Sequence, residues 1–150
     1  PWTRNERAAT AGLKTTSYAD NVVALAAAKR VGASEAVFAN TRGELCEGTG
    51  SNVFVVIDGE LLTPSLDSGA LPGVTRDLLL KWAHDGGLPI HERQLPLSVL
   101  YTADEVFLTS STRDVQPVVA VDDRLVASGP LTAAAAAAFR AGAARDGMDP

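Results

Sequence analysis

The 150-residue sequence is poor in features that would support several common functions. Its single cysteine, Cys46, excludes an internal disulfide, which agrees with a cytoplasmic location. It has no cluster of lysine and arginine, and its formal net charge of −5 argues against a nucleic-acid-binding surface. No apolar run approaches the ~18 residues that a membrane span requires. We therefore expect neither a nucleic acid nor a membrane as a partner.

Signals for metal chemistry and for hydrolases are also missing. The histidines, His84 and His91, do not combine with Cys46 or with carboxylates at the spacing of a metal site. No Gly-x-Ser-x-Gly segment of a serine hydrolase occurs. Cys46 lies between Leu45 and Glu47, and we interpret it as a small core residue rather than as a nucleophile.

The hydrophobic content, 46%, and the charged content, 21%, predict one packed globular domain. Three segments predict helices by spacing and stop signals: residues 17–31, 74–87 and 131–147, the last with Thr132 near its start as a candidate cap. Strands are predicted at residues 34–40, 44–47, 53–57, 61–64, 89–96 and 105–112, with two more in 115–127 around Asp122 and Asp123. Asp58-Gly59 predicts a hairpin. The pattern favours an α+β fold, a pseudo-barrel of strands flanked by helices, over a strict βαβ array.

Two motifs each contain one ionisable side chain, the first just before a predicted helix and the second just before a small-residue segment. Lys14 lies in GLKTTS, just before the first helix, and a lone lysine is usually a solvated charge unless a carbonyl cofactor lies nearby. Glu47 immediately precedes the small-residue segment 48–52, which is a plain turn, an anion cradle or the floor of a cofactor site. Each motif alone leaves these alternatives open.

Two further segments are candidate anion sites. In LPGVTRD, residues 71–77, a glycine precedes a helix whose first turn contains Thr75, an arrangement typical of phosphate binding or of ordinary capping. In TSSTRD, residues 109–114, four hydroxyls follow a strand, where they either cap a loop or bind phosphate oxygens. Arg113 is then a second anion contact or a surface charge.

The order of these motifs is more specific than any one of them. GLKTTS, SEAVFANTRGELCEGTGSNVFVV, LLTP, SGALPGVTRD and FLTSST together resemble the class IV aminotransferase family, over most of residues 12–118. This family comprises the fold-type IV enzymes that use pyridoxal 5′-phosphate (PLP), among them branched-chain and D-amino acid aminotransferases and 4-amino-4-deoxychorismate lyases. The resemblance implies PLP as cofactor, a small amino substrate and the large C-terminal domain of a D-amino acid aminotransferase-like fold.

The resemblance also implies a role for individual residues. Lys14 matches the catalytic lysine, which is attached to the cofactor through its amine and moves the substrate α-proton. Glu47 matches the acid that pairs with the pyridine nitrogen, and Asn52 supports the loop after it. The other matches are Leu71, which packs on the ring, and the phosphate-binding residues Val74, Thr75, Ser111 and Thr112.

The resemblance leaves the substrate open. The KTTSYADNVVAL run is most similar to aminodeoxychorismate lyase-like sequences, so we expect a lyase that forms 4-aminobenzoate and pyruvate. The form of the loop at residues 47–52 is closer to that of transaminases, which makes a branched-chain or D-amino acid transaminase the alternative. A non-catalytic fragment that retains the fold is the alternative of another class.

The family also has a smaller N-terminal domain that these 150 residues do not contain. It supplies an arginine to the phosphate and much of the substrate pocket, and the intact enzymes are typically dimers. The opening PWTRNERAATAG is typical of the interior of a protein. We therefore expect residues 1–150 to be the cofactor domain of a longer, homodimeric enzyme and to be inactive in isolation.

Overall fold

The computed structural model describes residues 2–147, which contain three α-helices and ten β-strands. The helices are α1 (Ala19–Arg30), α2 (Val74–Asp85) and α3 (Pro130–Arg145). The strands are β1 (Thr3–Arg4), β2 (Val37–Asn40), β3 (Leu45–Gly48), β4 (Asn52–Ile57), β5 (Glu60–Pro64), β6 (Ile90–Arg93), β7 (Glu105–Ser110), β8 (Asp114–Pro117), β9 (Ala120–Val121) and β10 (Arg124–Leu125). Within this part of the chain, none of the helices is long and apolar enough to traverse a bilayer.

A five-stranded sheet in the order β6-β5-β4-β7-β8 forms the centre of the fold. Its neighbouring strands are antiparallel except β5 and β6, which run parallel and are joined by α2 as a crossover. The β4–β5 hairpin turns at Asp58 and Gly59, whose φ angles of 50° and 78° suit a type I′ turn. The predicted hairpin is confirmed, as is the mixed fold of mainly hairpin-linked strands.

Both faces of the central sheet are buried. Helices α2 and α3 cover one face, where Phe54 stacks on Phe107 with ring centroids 4.7 Å apart. Trp82 of α2 meets Phe139 of α3 edge-on at 5.1 Å in the same cluster. The other face packs against aliphatic side chains from the connection between β6 and β7. This two-sided burial explains why residues 53–57 are an unbroken apolar run.

A smaller sheet, in the order β1-β2-β3, carries Glu47 on its last strand. Cys46 and Phe38 form a separate small core with Ala70, so the interpretation of Cys46 as a core residue is confirmed. Burial raises the pKa of the Cys46 thiol to about 12. A thiol that stays protonated at neutral pH is a poor nucleophile.

The strand prediction for residues 115–127 was wrong in number. Three strands occur there instead of two: β8 joins the central sheet beside β7, while β9 and β10 form a separate hairpin. β8 ends at Pro117, although the amide of Val118 still donates to the carbonyl oxygen of Val106 at 2.9 Å.

The start of α3 also differs from the prediction, because Thr132 does not cap it. The helix begins at Pro130 after the N-cap residue Gly129. The buried carboxylate of Glu105 accepts hydrogen bonds from the amides of Leu131, at 3.2 Å, and Thr132, at 2.7 Å. The cap therefore comes from β7 and is favoured by the helix dipole.

The segment between β1 and α1, which contains Lys14, is held to the body by Glu6. The Glu6 carboxylate accepts hydrogen bonds from the amide of Thr41, at 3.0 Å, and from its hydroxyl, at 2.7 Å. Arg42 pairs with the same carboxylate at 3.1 Å. The hydrogen bonds from Thr41, aided by Arg42, lower the pKa of Glu6 to about 2. Glu6 thus stabilises the fold only while it is ionised.

We predict that Glu6→Gln lowers the unfolding midpoint at neutral pH by an amount that shrinks in acid. The folded pKa lies below the ordinary value of 4.5, so this stability is present above the ordinary value and is lost as the pH falls towards about 2. Thermal unfolding from neutral to acidic pH checks this, with Glu60→Gln, at an exposed carboxylate, as control. If the difference in unfolding midpoint between Glu6→Gln and wild type stayed the same at every pH, the stabilising role of ionised Glu6 would be contradicted.

Candidate active site

One cavity of about 710 Å³ gathers most of the motifs singled out in the sequence. Four parts of the chain line it. They are the segment from β1 to the start of α1, residues 47–52 (the glutamate loop), the segment from Gly69 to Thr75, and residues 109–113 (the hydroxyl loop). Of the hydroxyl loop, only the first three residues line the cavity. A pocket of this size suits a small cofactor or substrate. No group of three or more histidine, cysteine or acidic residues in 2–147 could hold a metal ion.

Glu47 is a buried carboxylate whose two oxygens have different partners. Oε2 accepts a hydrogen bond from the amide of Leu71 at 2.8 Å, and Oε1 lies 3.1 Å from Nη2 of Arg4. Burial raises the pKa of Glu47, while the Leu71 amide and the positive charge of Arg4 act in the opposite direction. A buried carboxylate with a raised pKa in a cavity wall is a candidate functional group.

The backbone of Leu71 is fixed from both sides. Its amide donates to Glu47, and its carbonyl oxygen accepts a hydrogen bond from Nδ2 of Asn52 at 2.7 Å. Gly73 allows this arrangement, because a Cβ at that position would collide with the Asn52 side chain. Asn52 therefore braces the wall of the cavity instead of facing solvent.

The N-terminus of α2 opens into the same cavity. Val74 and Thr75 begin this helix and line the cavity, and the N-cap residue Gly73 has no side chain with which to cap them. The hydroxyl of Thr109, on the neighbouring strand, is buried without a hydrogen-bond partner and also lines the cavity. Uncapped helical amides beside an unpartnered buried donor form an anion-binding environment.

The hydroxyl loop contributes only some of its residues to the cavity. Ser111 lines the cavity, but Thr112 is not among the lining residues, and its hydroxyl lies 3.4 Å from that of Ser110. Arg113 pairs through Nη2 with the Glu35 carboxylate at 2.7 Å, so its guanidinium is not a free surface charge.

Lys14 lines the cavity from an irregular segment and is exposed. Its Nζ lies 5.9 Å from the centre of the Tyr18 ring. Nothing in residues 2–147 buries this amine, so its chemistry depends on what occupies the cavity. Among the lining residues, Lys14 and Arg4 are the basic ones, and Arg4 is already paired with Glu47.

The sequence interpretation missed three polar residues that hold these parts together: Arg4, Asn21 and Glu35. Asn21 accepts hydrogen bonds from Arg4 at 3.2 and 3.3 Å and donates to the carbonyl oxygen of Thr49 at 2.6 Å. Each residue lies far along the chain from its partners, and no local motif marks any of them. The only available signal was that Arg4 and Asn21 flank the Lys14 segment.

Comparison with known proteins identifies the family. The family model described as "Amino-transferase class IV" matches residues 1–121. The chain belongs to the class IV aminotransferase family. Its members are PLP-dependent enzymes of fold-type IV, so the predicted family and fold are confirmed.

Individual class IV relatives resemble this chain in sequence and in structure. The branched-chain-amino-acid aminotransferase of Escherichia coli K12 is 38% identical over 113 residues, which are 75% of this chain and 37% of that protein. The branched-chain aminotransferase of Thermobaculum terrenum, solved in its PLP form, has a TM-score of 0.87 at 34% identity and covers 99% of this chain and 50% of its own. A Legionella pneumophila protein, provisionally named a 4-amino-4-deoxychorismate lyase, has a TM-score of 0.89 at 28% identity, over 95% of this chain and 53% of its own.

The chain thus spans less than half the length of the Escherichia coli relative and about half that of the solved ones.

The cavity nevertheless has the chemical features that PLP requires. A buried carboxylate suits a protonated ring nitrogen, and the uncapped start of α2 with the unpartnered Thr109 hydroxyl suits a phosphate. Lys14 supplies an accessible primary amine on the same cavity. These residues fit the cofactor of the family.

Proposed function

We propose that this chain is the PLP-binding domain of a longer transaminase that acts on branched-chain amino acids. The observation that carries the proposal is the convergence of a buried Glu47 carboxylate, the Lys14 amine and the uncapped start of α2 on one cavity. The curated relatives support the substrate class, because those with 35–42% identity are named as branched-chain-amino-acid aminotransferases.

The cofactor supplies an electron-withdrawing ring that stabilises negative charge on the substrate α-carbon. Glu47 keeps a negative charge opposite the position of the ring nitrogen, and this favours the protonated form of that nitrogen. The fixed Leu71 backbone holds the Glu47 carboxylate in place during turnover. Catalysis by such fixed charges needs no reorganisation of the protein at the moment of reaction.

Lys14 is proposed to have two roles. Its Nζ would attach the cofactor covalently, and its free amine would serve as the base that takes the substrate α-proton and returns it to another carbon. Its exposed position in residues 2–147 leaves room for the cofactor and substrate to enclose it. The amides of Val74 and Thr75, with the Ser111 side of the hydroxyl loop, are proposed to hold the phosphate and so orient the ring.

The rest of the intact protein is proposed to complete the substrate pocket. Lys14 and the already paired Arg4 are the basic residues of the cavity lining, so residues 2–147 offer this cavity no spare guanidinium for a phosphate dianion or a substrate carboxylate. The outer face of α1 is apolar, with Val22 and Val23 exposed by 62% and 55%, and suits cover by the absent half or by a second subunit. We therefore propose an N-terminal domain, a homodimer and no activity for the isolated chain.

A lyase acting on 4-amino-4-deoxychorismate is the second candidate. The structural similarity to the Legionella pneumophila protein supports it, since the two backbones agree with a TM-score of 0.89. Lys14 and Glu47 would serve both reactions in the same roles. The curated relatives favour the transaminase, so the lyase expected from the sequence has the weaker support.

We predict that Lys14→Ala abolishes covalent attachment of PLP in the full-length protein. Wild type should show the visible absorption of lysine-bound PLP, and borohydride should fix the cofactor on the peptide that contains Lys14. Lys29→Ala, on an exposed lysine of α1 outside the cavity lining, should behave as wild type. A borohydride-fixed adduct that persists in Lys14→Ala would exclude Lys14 as the attachment site.

We predict that the full-length protein converts leucine, isoleucine and valine to their keto acids when 2-oxoglutarate is the amino acceptor. D-Amino acids and 4-amino-4-deoxychorismate are the competing substrates in the same assay. Preferential turnover of the branched-chain L-amino acids supports the proposal. Formation of 4-aminobenzoate and pyruvate without transamination would establish the lyase, and turnover of D-amino acids alone would establish the other transaminase.

A further inference from the structure

Glu35 connects two loops of the cavity wall that lie side by side, since Asn52 of the glutamate loop pairs with Thr109 of the hydroxyl loop in the β4–β7 ladder. Its side chain is 9% exposed, although the residue lies in the irregular segment before β2. One carboxylate oxygen accepts hydrogen bonds from the amide of Thr49, at 3.1 Å, and from its hydroxyl. The other accepts from the hydroxyl of Ser51 at 3.0 Å and from Nη2 of Arg113 at 2.7 Å. One carboxylate thus fixes the glutamate loop and holds the hydroxyl loop against it.

Arg113 has the geometry of a link between the loops. Its Nε donates to the hydroxyl of Ser110 at 3.3 Å while Nη2 binds Glu35. The next residue, Asp114, has a φ of 49°, a conformation that is uncommon outside glycine and closes the tight turn between β7 and β8. The guanidinium therefore holds its own loop and the neighbouring one at the same time, as its planar fork allows.

The polar contacts continue from Glu35 to the catalytic carboxylate. Thr49, which donates to Glu35, accepts from Asn21 through its carbonyl oxygen at 2.6 Å. Asn21 accepts from Arg4, and Arg4 pairs with Glu47 at 3.1 Å. A continuous chain of contacts therefore runs from the hydroxyl loop to the carboxylate expected to face the ring nitrogen. Networks of this kind fix the orientation of their members more firmly than isolated pairs do.

The energetic balance at Glu35 depends on Arg113. Burial raises the pKa of the Glu35 carboxyl, but the hydrogen bonds from Arg113, Thr49 and Ser51 outweigh burial and leave the pKa below its ordinary value. Removing Arg113 leaves a mostly buried anion without its cation, which is costly unless the loops move to admit water.

We propose that Glu35 and Arg113 are positioning residues that clasp the hydroxyl loop to the glutamate loop and set the distance between the phosphate end and the Glu47 end of the cofactor cavity. The pair touches neither the cofactor nor the substrate in this role. The inference deepens the proposed function and rests on it for the identity of the ligand, whereas the clasp itself is a property of the ligand-free protein.

Amide hydrogen exchange of the PLP-free, full-length protein tests the clasp directly. We expect Arg113→Met to raise exchange several-fold in the peptide that spans residues 48–52, although the substitution lies in the other loop. The Thr49 amide donates both to Glu35, at 3.1 Å, and to the carbonyl oxygen of Ala36, at 3.0 Å, so faster exchange there requires the loop itself to open. Exchange in the central strand β4 should not change, which separates loop release from global unfolding. An increase confined to residues 109–113 would overturn the proposal.

The PLP dissociation constant, from absorbance titration, tests the consequence for the cofactor. Glu35→Gln and Arg113→Met should each weaken binding roughly tenfold, and the double variant should be no weaker than either single one, because all three break the same link. Arg113→Lys keeps the positive charge but loses the planar guanidinium, so it should bind PLP more tightly than Arg113→Met and less tightly than wild type. This variant also shows whether weak binding by Arg113→Met comes merely from misfolding. Arg93→Met, which removes an exposed guanidinium paired with Glu60 at 3.6 Å, is the control and should bind PLP as wild type does.

The two experiments distinguish the possible failures. Wild-type affinity in both single variants, or losses that add in the double variant, would overturn the clasp. Wild-type protein that binds no PLP would overturn the proposed function, and the exchange experiment would still decide whether the two loops are coupled.

Discussion

The buried carboxylate of Glu47 is the interaction on which the arrangement of the cavity depends. A carboxylate removed from water needs hydrogen bonds and an opposite charge to remain ionised. Both partners come from other parts of the chain, an amide from the loop before α2 and a guanidinium from β1. Satisfying this one group therefore brings together the glutamate loop, the Leu71 segment and the strand that leads to Lys14.

The fold separates rigid support from the residues that do chemistry. The central sheet is buried on both faces, and α2 follows β5 after the connection formed by residues 65–73, part of which lines the cavity. The residues proposed to bind the cofactor lie on the connections or next to them: Lys14 on an irregular segment, Glu47 near the end of β3 and Ser111 in a turn. Such loops need bracing, which Asn52 and Glu6 provide through hydrogen bonds to backbone groups. The chemistry thus depends on polar contacts as much as on the apolar core.

The sequence allowed the family, the fold class and several of the residues that line the cavity to be predicted, because their motifs are local and lie in a recognisable order. Residues whose role depends on a distant partner could not be found in this way. Glu35 contacts Arg113 across 78 positions of the chain, and Glu105 caps a helix 27 positions away. Neither carboxylate differs locally from a surface charge. The same reasoning missed the division of residues 114–125 into three strands, since only the central sheet decides where β8 ends.

The central claim is that the negative charge of the buried Glu47 carboxylate stabilises the protonated form of the ring nitrogen of the cofactor. It is tested most directly by nitrogen NMR of the full-length protein loaded with PLP labelled with ¹⁵N in the ring. At neutral to mildly alkaline pH, wild type should show the chemical shift of a protonated pyridine nitrogen. Glu47→Gln should retain the cofactor but show the shift of the neutral ring, because the anionic partner has been removed. The same protonated shift in both proteins would contradict the account.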